Sequence, residues 1–280
     1  MKLGVITDCF KQPLEVSILL AGELGFEGVQ VYATTGQFSP EGLSSQQKNE
    51  IRQLLNACGL AVSALCGDMG GYGYQIAADN PVRIQKTKAI IDLAAEFSVP
   101  VITTHIGVIP DSKSHPRYGV MLDALCACGE YAKSAGVTLA IETGPEPAAT
   151  LAMFLRDTGG GVGVNLDPAN FVMVTGQDPV EAVDLLGPYI VHTHAKDGIM
   201  HRKTDPQIIY DSFAQGGIEA LNVSDYFTET PLGQGQVDWP AYLGALKAVG
   251  YNGYLTVERE TGTDPLGDIH HAKQYLDQLL

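Results

Sequence analysis

The strongest constraint on the fold of this chain is a series of eight short apolar runs separated by stretches with helical character. The predicted strands are Leu3–Thr7, Gly28–Tyr32, Ala61–Cys66, Val101–Thr104, Val137–Glu142, Val162–Leu166, Tyr189–His194 and Gly253–Glu258. Regular alternation of strands and helices is typical of a parallel sheet with crossover helices. Eight such units in 280 residues predict an α/β fold, a (β/α)8 TIM barrel, with residues 1–280 forming a single domain.

Helix start signals between the predicted strands support this organisation. An oxygen-bearing side chain followed by proline, the pattern of an N-cap with proline in the first helical position, occurs at Asn80-Pro81, Asp178-Pro179 and Asp264-Pro265. A doubly wound sheet is the alternative architecture. However, no G-x-G-x-x-G motif follows the first predicted strand, so the barrel is favoured.

Charge and composition narrow the classes of partner. The chain has 17 Lys and Arg residues against 32 Asp and Glu residues, a formal net charge of −15. Because so acidic a chain repels phosphate backbones, we expect neither nucleic acid nor an anionic membrane surface as a partner. The five cysteines form no C-x-x-C pair, and no apolar run is long enough for a signal peptide or a membrane span. These features predict a cytoplasmic protein with reduced thiols.

Four of the late strands end on residues that can bind a metal ion. Because alternate side chains of a strand point to opposite faces, Leu139 and Ile141 share one face while Glu142 lies on the other, and the later strands repeat this division. Parallel strands bring their carboxyl ends to the same mouth of a barrel. The sequence therefore predicts a metal site formed by Glu142, Asp167, His194 and Glu258.

The donor atoms of this set indicate which cation it would bind. Any single acid at a strand end is usually a solvated loop residue, but four ligand-type residues on inward faces would be costly to keep together without a cation. Three carboxylates and one imidazole suit Mn²⁺ first, with Mg²⁺, Co²⁺ or Zn²⁺ as alternatives. Because the three carboxylates give this set of ligands a net negative charge, it favours a substrate that binds through neutral hydroxyl and carbonyl oxygens.

Other polar residues lie near the predicted mouth. His105 follows the fourth strand and could contact substrate, although a lone loop histidine is an equal alternative. Lys196 continues the inward alternation after His194 and could reach a substrate oxygen. His192 shares the face of His194 one pleat deeper, where a hydrogen-bonded core histidine is favoured over a ligand.

The longest connection, Asp197–Val237, is polar and glycine-rich with little helical periodicity, which predicts a lid or a binding loop. Its most basic patch contains Arg202, which could clamp a polar end of a substrate or be a solvated loop charge. Asp197 could orient His194 or cap the loop. Trp239, the single tryptophan, is predicted to be a packing anchor.

Two motifs give the chain a resemblance to a known superfamily. His192-Thr-His-Ala-Lys-Asp197, and the run Pro231–Trp239 with its continuation Gly250–Glu258, resemble the xylose-isomerase-like TIM-barrel superfamily of sugar isomerases and epimerases. The resemblance covers nearly the whole chain. It implies Glu142, Asp167, His194 and Glu258 as metal ligands, with Glu142 and Glu258 also acting as the acid/base pair. Related barrels often pair, which implies a possible homo-oligomer.

The resemblance has two departures. Epimerases commonly have a histidine three residues after the sixth-strand aspartate, where this chain has Asn170, so the substrate contact expected there would differ. Endonuclease IV, a distant member, needs further histidines for three zinc ions, and Cys66-Gly-Asp68 supplies none. The sequence therefore favours the sugar enzymes of the superfamily over the nuclease.

The expected function is a divalent-metal-dependent sugar isomerase or epimerase. It would abstract a proton beside a carbonyl of a keto sugar or related polyol and pass through a metal-stabilised enediolate. The expected partner is a small sugar or sugar-like molecule. Two alternatives stay open: a lyase similar to inosose dehydratase, and a sugar-binding barrel that retains the metal without turnover.

Overall fold

The computed structural model describes residues 1–216 and 221–280. In chain order its strands are β1 (Lys2–Ile6), β2 (Gly28–Tyr32), β3 (Ala61–Cys66), β4 (Val101–Thr104), β5 (Thr138–Glu142), β6 (Val162–Leu166), β7 (Ile190–Ala195), β8 (Asp197–Met200), β9 (Phe227–Thr230) and β10 (Tyr254–Val257). Eight of them close a parallel barrel in the order β1-β10-β7-β6-β5-β4-β3-β2. The predicted (β/α)8 TIM barrel is confirmed, and both ends of each predicted strand lie within one residue of those of an observed strand.

Helices join the barrel strands and pack around them. They are α1 (Leu14–Glu23), α2 (Ser45–Ala57), α3 (Asn80–Glu96), α4 (Pro116–Ser134), α5 (Ala148–Asp157), α6 (Pro168–Asn170), α7 (Pro179–Leu186), α8 (Pro206–Ala214), α9 (Trp239–Ala248) and α10 (Pro265–Leu279). In the described part of the chain, no helix is long and apolar enough to cross a membrane.

Two of the three predicted N-caps form as expected. The side chains of Asp178 and Asp264 accept hydrogen bonds from backbone N–H groups in the first turns of α7 and α10. The third prediction is wrong, because Asn80 is the first residue of α3 and its side-chain amide donates instead to the carbonyl of Tyr74. The buried amide of Asn80 thus ties the helix start to the preceding loop.

The two faces of the barrel strands differ as the alternation predicts. Outward side chains such as Leu139 and Ile141 are fully buried against the helices. Inside the barrel, Ala64, Val101 and Ala140 form a small apolar cluster. Above this cluster the interior becomes polar, and the mouth is built from side chains that need partners.

The long connection Asp197–Val237 contains strands and a helix where the sequence predicted an irregular loop, and residues 217–220 lie outside the described part. Strands β8 and β9 pair antiparallel, and α8 lies between them in the chain. Short elements of four to nine residues leave little periodic signal, which explains why the sequence pattern missed them.

Asp197 caps this connection and does not orient His194. Its carboxylate accepts hydrogen bonds from the backbone N–H groups of Gly233, Gly235 and Val237 and from the indole of Trp239. A Cβ at Gly235 would lie 2.0 Å from Asp197 Oδ1, so only glycine allows this approach. Trp239 is fully buried, and with its bond to Asp197 it anchors the start of α9 as predicted.

Candidate metal centre

The structure brings the four predicted ligands together at the carboxyl-terminal mouth of the barrel. Glu142 ends β5, Asp167 follows β6, His194 lies near the end of β7, and Glu258 follows β10. All four side chains are buried, and one donor atom from each lies within 4.8 Å of the others. Adjacent parallel strands at similar register place their last inward residues at the same height, which produces this convergence.

His194 stands at the centre of the carboxylates. Its Nδ1 is 3.1 Å from Glu258 Oε2, 3.2 Å from Glu142 Oε1 and 3.7 Å from Asp167 Oδ2. Burial alone would lower the pKa of the imidazole, but the charges of Glu258 and Glu142 outweigh it and raise the pKa well above its usual value. The cluster therefore attracts a positive charge to its centre.

Two carboxylate oxygens leave room for a cation. Asp167 Oδ1 accepts hydrogen bonds from the backbone N–H groups of Ala169 and Asn170 at 2.8 and 3.0 Å. Asp167 Oδ2 and Glu258 Oε2 are buried and accept no hydrogen bond from the residues that the structure describes, although Glu258 Oε2 lies within ion-pair distance of His194 and Lys196. A buried carboxylate oxygen that accepts no hydrogen bond, such as Asp167 Oδ2, is unfavourable unless a ligand contacts it. Three oxygens and one nitrogen turned towards one point fit a divalent cation.

Gln30 and Asn165 hold two of these ligands in position. Gln30 Oε1 is 3.1 Å from His194 Nε2, and Gln30 Nε2 donates to Thr103 Oγ1 at 3.2 Å. Because the other ring nitrogen of His194 faces the carboxylates, an Nε2–H donated to Gln30 leaves Nδ1 free as the ligand atom. Asn165 Nδ2 donates to Glu142 Oε2 at 3.3 Å.

Sequence reasoning did not assign a role to either amide. Both lie on inward faces of predicted strands, and Asn165 is two residues before Asp167 in the alternation. That inward position was the available signal. His192, by contrast, is the hydrogen-bonded core histidine that was favoured, because its Nε2 contacts Gln30 Oε1 at 3.1 Å and Thr256 Oγ1 at 2.9 Å.

Lys196 lies on the Glu258 side of the centre. Its Nζ is 3.2 Å from Glu258 Oε2 and 2.5 Å from Glu260 Oε2. Burial would lower the pKa of Lys196, but these two carboxylates raise it well above its usual value. Burial would in turn raise the pKa of Glu258, yet the charges of Lys196 and His194 lower it. Glu258 is thus held ionised beside a buried ammonium group.

His105 lies on the Glu142 side. Its Nε2 is 3.9 Å from Glu142 Oε1, and its Nδ1 is 3.0 Å from Asp68 Oδ2. Desolvation opposes the charged ring, but the carboxylates of Glu142 and Asp68 raise the pKa of His105 to about 10.

The remaining two predicted substrate residues lie in different surroundings. Asn170 is half-buried, and its side-chain amide donates to the backbone carbonyl of Thr143 at 3.1 Å. Arg202 is exposed, and its guanidinium stacks over the ring of Tyr226 at 4.4 Å from the centroid. Neither residue forms an ion pair or hydrogen bond with the side chains of His105, Lys196 or His194 within the described ranges.

Comparison with known proteins identifies the family. A family model described as xylose isomerase-like TIM barrel matches residues 18–279. The chain belongs to this family. One relative is the Bacillus subtilis protein YfiH, which is 25% identical and aligns over 100% of this chain and 99% of its own length.

Solved structures share the barrel over its full length. A xylose isomerase domain protein from Planctomyces limnophilus superposes with a TM-score of 0.81 at 26% identity, covering 99% of this chain and 96% of its own. The probable 3-DHS dehydratase AsbF of Bacillus anthracis gives a TM-score of 0.78 at 19% identity and 99% coverage of both chains. A D-tagatose 3-epimerase-like protein gives 0.73 at 18% identity, covering 100% and 98%. At these identities the last two comparisons show the shared fold alone.

Proposed function

We propose that this xylose isomerase-like barrel is a metal-dependent isomerase or epimerase of keto sugars. The observation that carries the proposal is a pair of buried glutamates, Glu142 and Glu258, that face one another across His194. With Asp167 they form a donor set suited to Mn²⁺, with Mg²⁺, Co²⁺ or Zn²⁺ as alternatives. Membership of a family that contains sugar isomerases and epimerases supports the same class of reaction.

The two glutamates would carry the proton. A divalent cation held by the four ligands would polarise the substrate carbonyl and stabilise the negative charge that develops on its oxygen. One glutamate removes the proton from the carbon beside the carbonyl, and the other returns a proton. Return to the opposite face of the same carbon gives epimerisation. Return to the former carbonyl carbon, with the hydroxyl proton passing from one oxygen to the other, gives isomerisation.

The neighbours of each glutamate suit these roles. Asn165 fixes Glu142 by a hydrogen bond, and Lys196 holds Glu258 ionised, which a proton acceptor requires. His105 and Lys196 approach from opposite sides of the centre and would donate to substrate oxygens. Asn170 and Arg202 stay predictions as contacts for more distant parts of the substrate.

A second candidate is a lyase that eliminates water from a keto sugar. The ammonium group of Lys196 next to Glu258 favours it, because this group could protonate a departing hydroxyl so that it leaves as water. One glutamate would first remove the proton beside the carbonyl, as in the isomerase. AsbF, named as a probable dehydratase, shares the fold.

Solvent deuterium incorporation tests the proposal. Mn²⁺-loaded protein is incubated in deuterated buffer with a panel of ketoses and inososes, and the products are examined by NMR. Label on a carbon beside the carbonyl would support proton abstraction, and the product would separate epimer, isomer and dehydrated compound. Binding of sugar with no label on any compound would instead indicate a sugar-binding barrel without turnover.

A further inference from the structure

A cavity of about 360 Å³ opens on the same face of the barrel as the candidate metal centre. Its walls come from the loops that follow β4 and β5, from the segment after α6, and from the start of α8. The ionisable side chains that line it are those of Asp111, Arg117, Glu146, Lys203 and Asp205. Glu146 is four residues past Glu142, and it feels the charge of His105, whose Nε2 is 3.9 Å from Glu142 Oε1.

Glu146 is the buried acid of this cavity. Its side chain is 2% exposed, and neither carboxyl oxygen has a hydrogen-bond partner in residues 1–216 and 221–280. Burial raises the pKa of Glu146 to about 8. A buried carboxyl group without partners is unfavourable, so an unpaired group that lines a cavity indicates a ligand.

The Nε atom of Arg117 is a second unpaired polar atom on the same cavity. Arg117 lies in the first turn of α4, and its buried Nε has no hydrogen-bond partner in the described part of the chain. Arg117 and Glu146 both line the cavity and form no ion pair with each other. A ligand that both donates and accepts hydrogen bonds would satisfy both groups from the space between them.

The charges of the cavity decide which kind of ligand fits. A hydroxyl group can accept from Arg117 and can either donate to Glu146 or accept from it. A phosphate or carboxylate would lie close to Asp111, Glu146 and Asp205, whose carboxyl groups line the same space. Because the raised pKa of Glu146 leaves its carboxyl group largely protonated near neutral pH, Arg117 and Lys203 face two charged acids, Asp111 and Asp205. The cavity therefore has no net positive charge that would favour an anion over a neutral polyol.

We propose that this cavity binds the hydroxyl-bearing end of an unphosphorylated sugar through Glu146 and Arg117, an inference that rests on the proposed function. His105 connects the two places, since its Nε2 is 3.9 Å from Glu142 and its charge acts on Glu146. The substrate carbonyl would lie at the metal centre, and the chain of hydroxyls would extend past His105. The substrate class is therefore a free keto sugar.

Calorimetric titration of the Mn²⁺-loaded protein tests this assignment. The probes are D-fructose, D-psicose and D-tagatose, each compared with its 6-phosphate. At least one free sugar should bind about tenfold or more tightly than its phosphate. Glu146→Leu and Arg117→Met should each weaken that binding at least about tenfold, the loss expected when buried hydrogen bonds to a ligand are removed. Their affinity for Mn²⁺ should stay unchanged.

Glu130→Gln is the matched control, because Glu130 is an exposed acid on the same helix as Arg117 and should leave sugar binding unchanged. Equal or tighter binding of the phosphates, no binding of any free sugar, or unchanged binding by both cavity variants would overturn the assignment. Deuterium labelling of the same samples separates the two proposals. Deuterium label in the product together with unchanged sugar binding by the cavity variants would contradict only the cavity assignment. Weakened sugar binding by those variants without any label would contradict only the proposed proton transfer.

Discussion

The buried carboxyl group of Glu146 should make the stability of the protein depend on pH in a defined direction. Its pKa is raised from the ordinary 4.5 to about 8 in the folded protein. The folded state therefore binds a proton more tightly than the unfolded state. The resulting stability is fully present below about pH 4.5 and is lost progressively as the pH rises through about 8.

The size of this effect follows from the same values. Each unit of pKa corresponds to about 1.4 kcal/mol, so the rise from 4.5 to about 8 corresponds to about 5 kcal/mol at most. Glu146→Gln keeps the shape of the protonated acid and cannot ionise. We expect the free energy of unfolding of wild type, relative to this variant, to fall by roughly 3–5 kcal/mol between pH 5 and pH 9.

Urea unfolding of metal-free wild type and Glu146→Gln at several pH values measures this difference. Other titrating groups contribute equally to both proteins and cancel in the comparison. Glu130→Gln, an exposed substitution, should track wild type at every pH. The reasoning would be refuted if the difference in free energy of unfolding between wild type and Glu146→Gln changed by less than about 1 kcal/mol between pH 5 and pH 9.

Three further predictions concern the metal centre and the connection beside it. Glu142→Gln and Glu258→Gln should each reduce deuterium incorporation to no more than a few per cent of wild type, as measured by NMR; greater retention would count against the acid/base pair. Gln30→Leu should weaken Mn²⁺ binding about 10- to 100-fold in calorimetry. Gln30→Glu, which keeps an acceptor for His194, should lose much less affinity. Equal losses in the two variants would exclude the role of Gln30 in orienting His194. Asp197→Ala should lower the free energy of unfolding by at least about 2 kcal/mol, because it leaves several buried N–H groups unpaired, whereas the exposed Asp225→Asn should change it little.

The barrel and the convergence of its ligands could be predicted because both follow from local patterns. Alternation along β5 places Glu142 inward, and the parallel order of strands then carries Asp167, His194 and Glu258 to the same mouth. Neither step requires knowledge of distant contacts. The register of the parallel strands then sets these side chains at a similar height.

What could not be predicted depends on partners far apart in the chain. Gln30 contacts His194 across 164 positions, and no local pattern connects them. Glu146 lies in a loop, where neither periodicity nor a motif reveals that it is buried. Helix α8 is short, so its nine residues gave too weak a periodic signal to distinguish it from a loop.

Anomalous diffraction from crystals soaked in Mn²⁺ tests the central claim most directly. We expect one strong peak at the mouth of the barrel, within about 2.0–2.3 Å of a donor atom from each of Glu142, Asp167, His194 and Glu258. Absence of a peak there at saturating Mn²⁺, or a peak bound by other residues, would contradict the metal centre and the proton chemistry proposed for it.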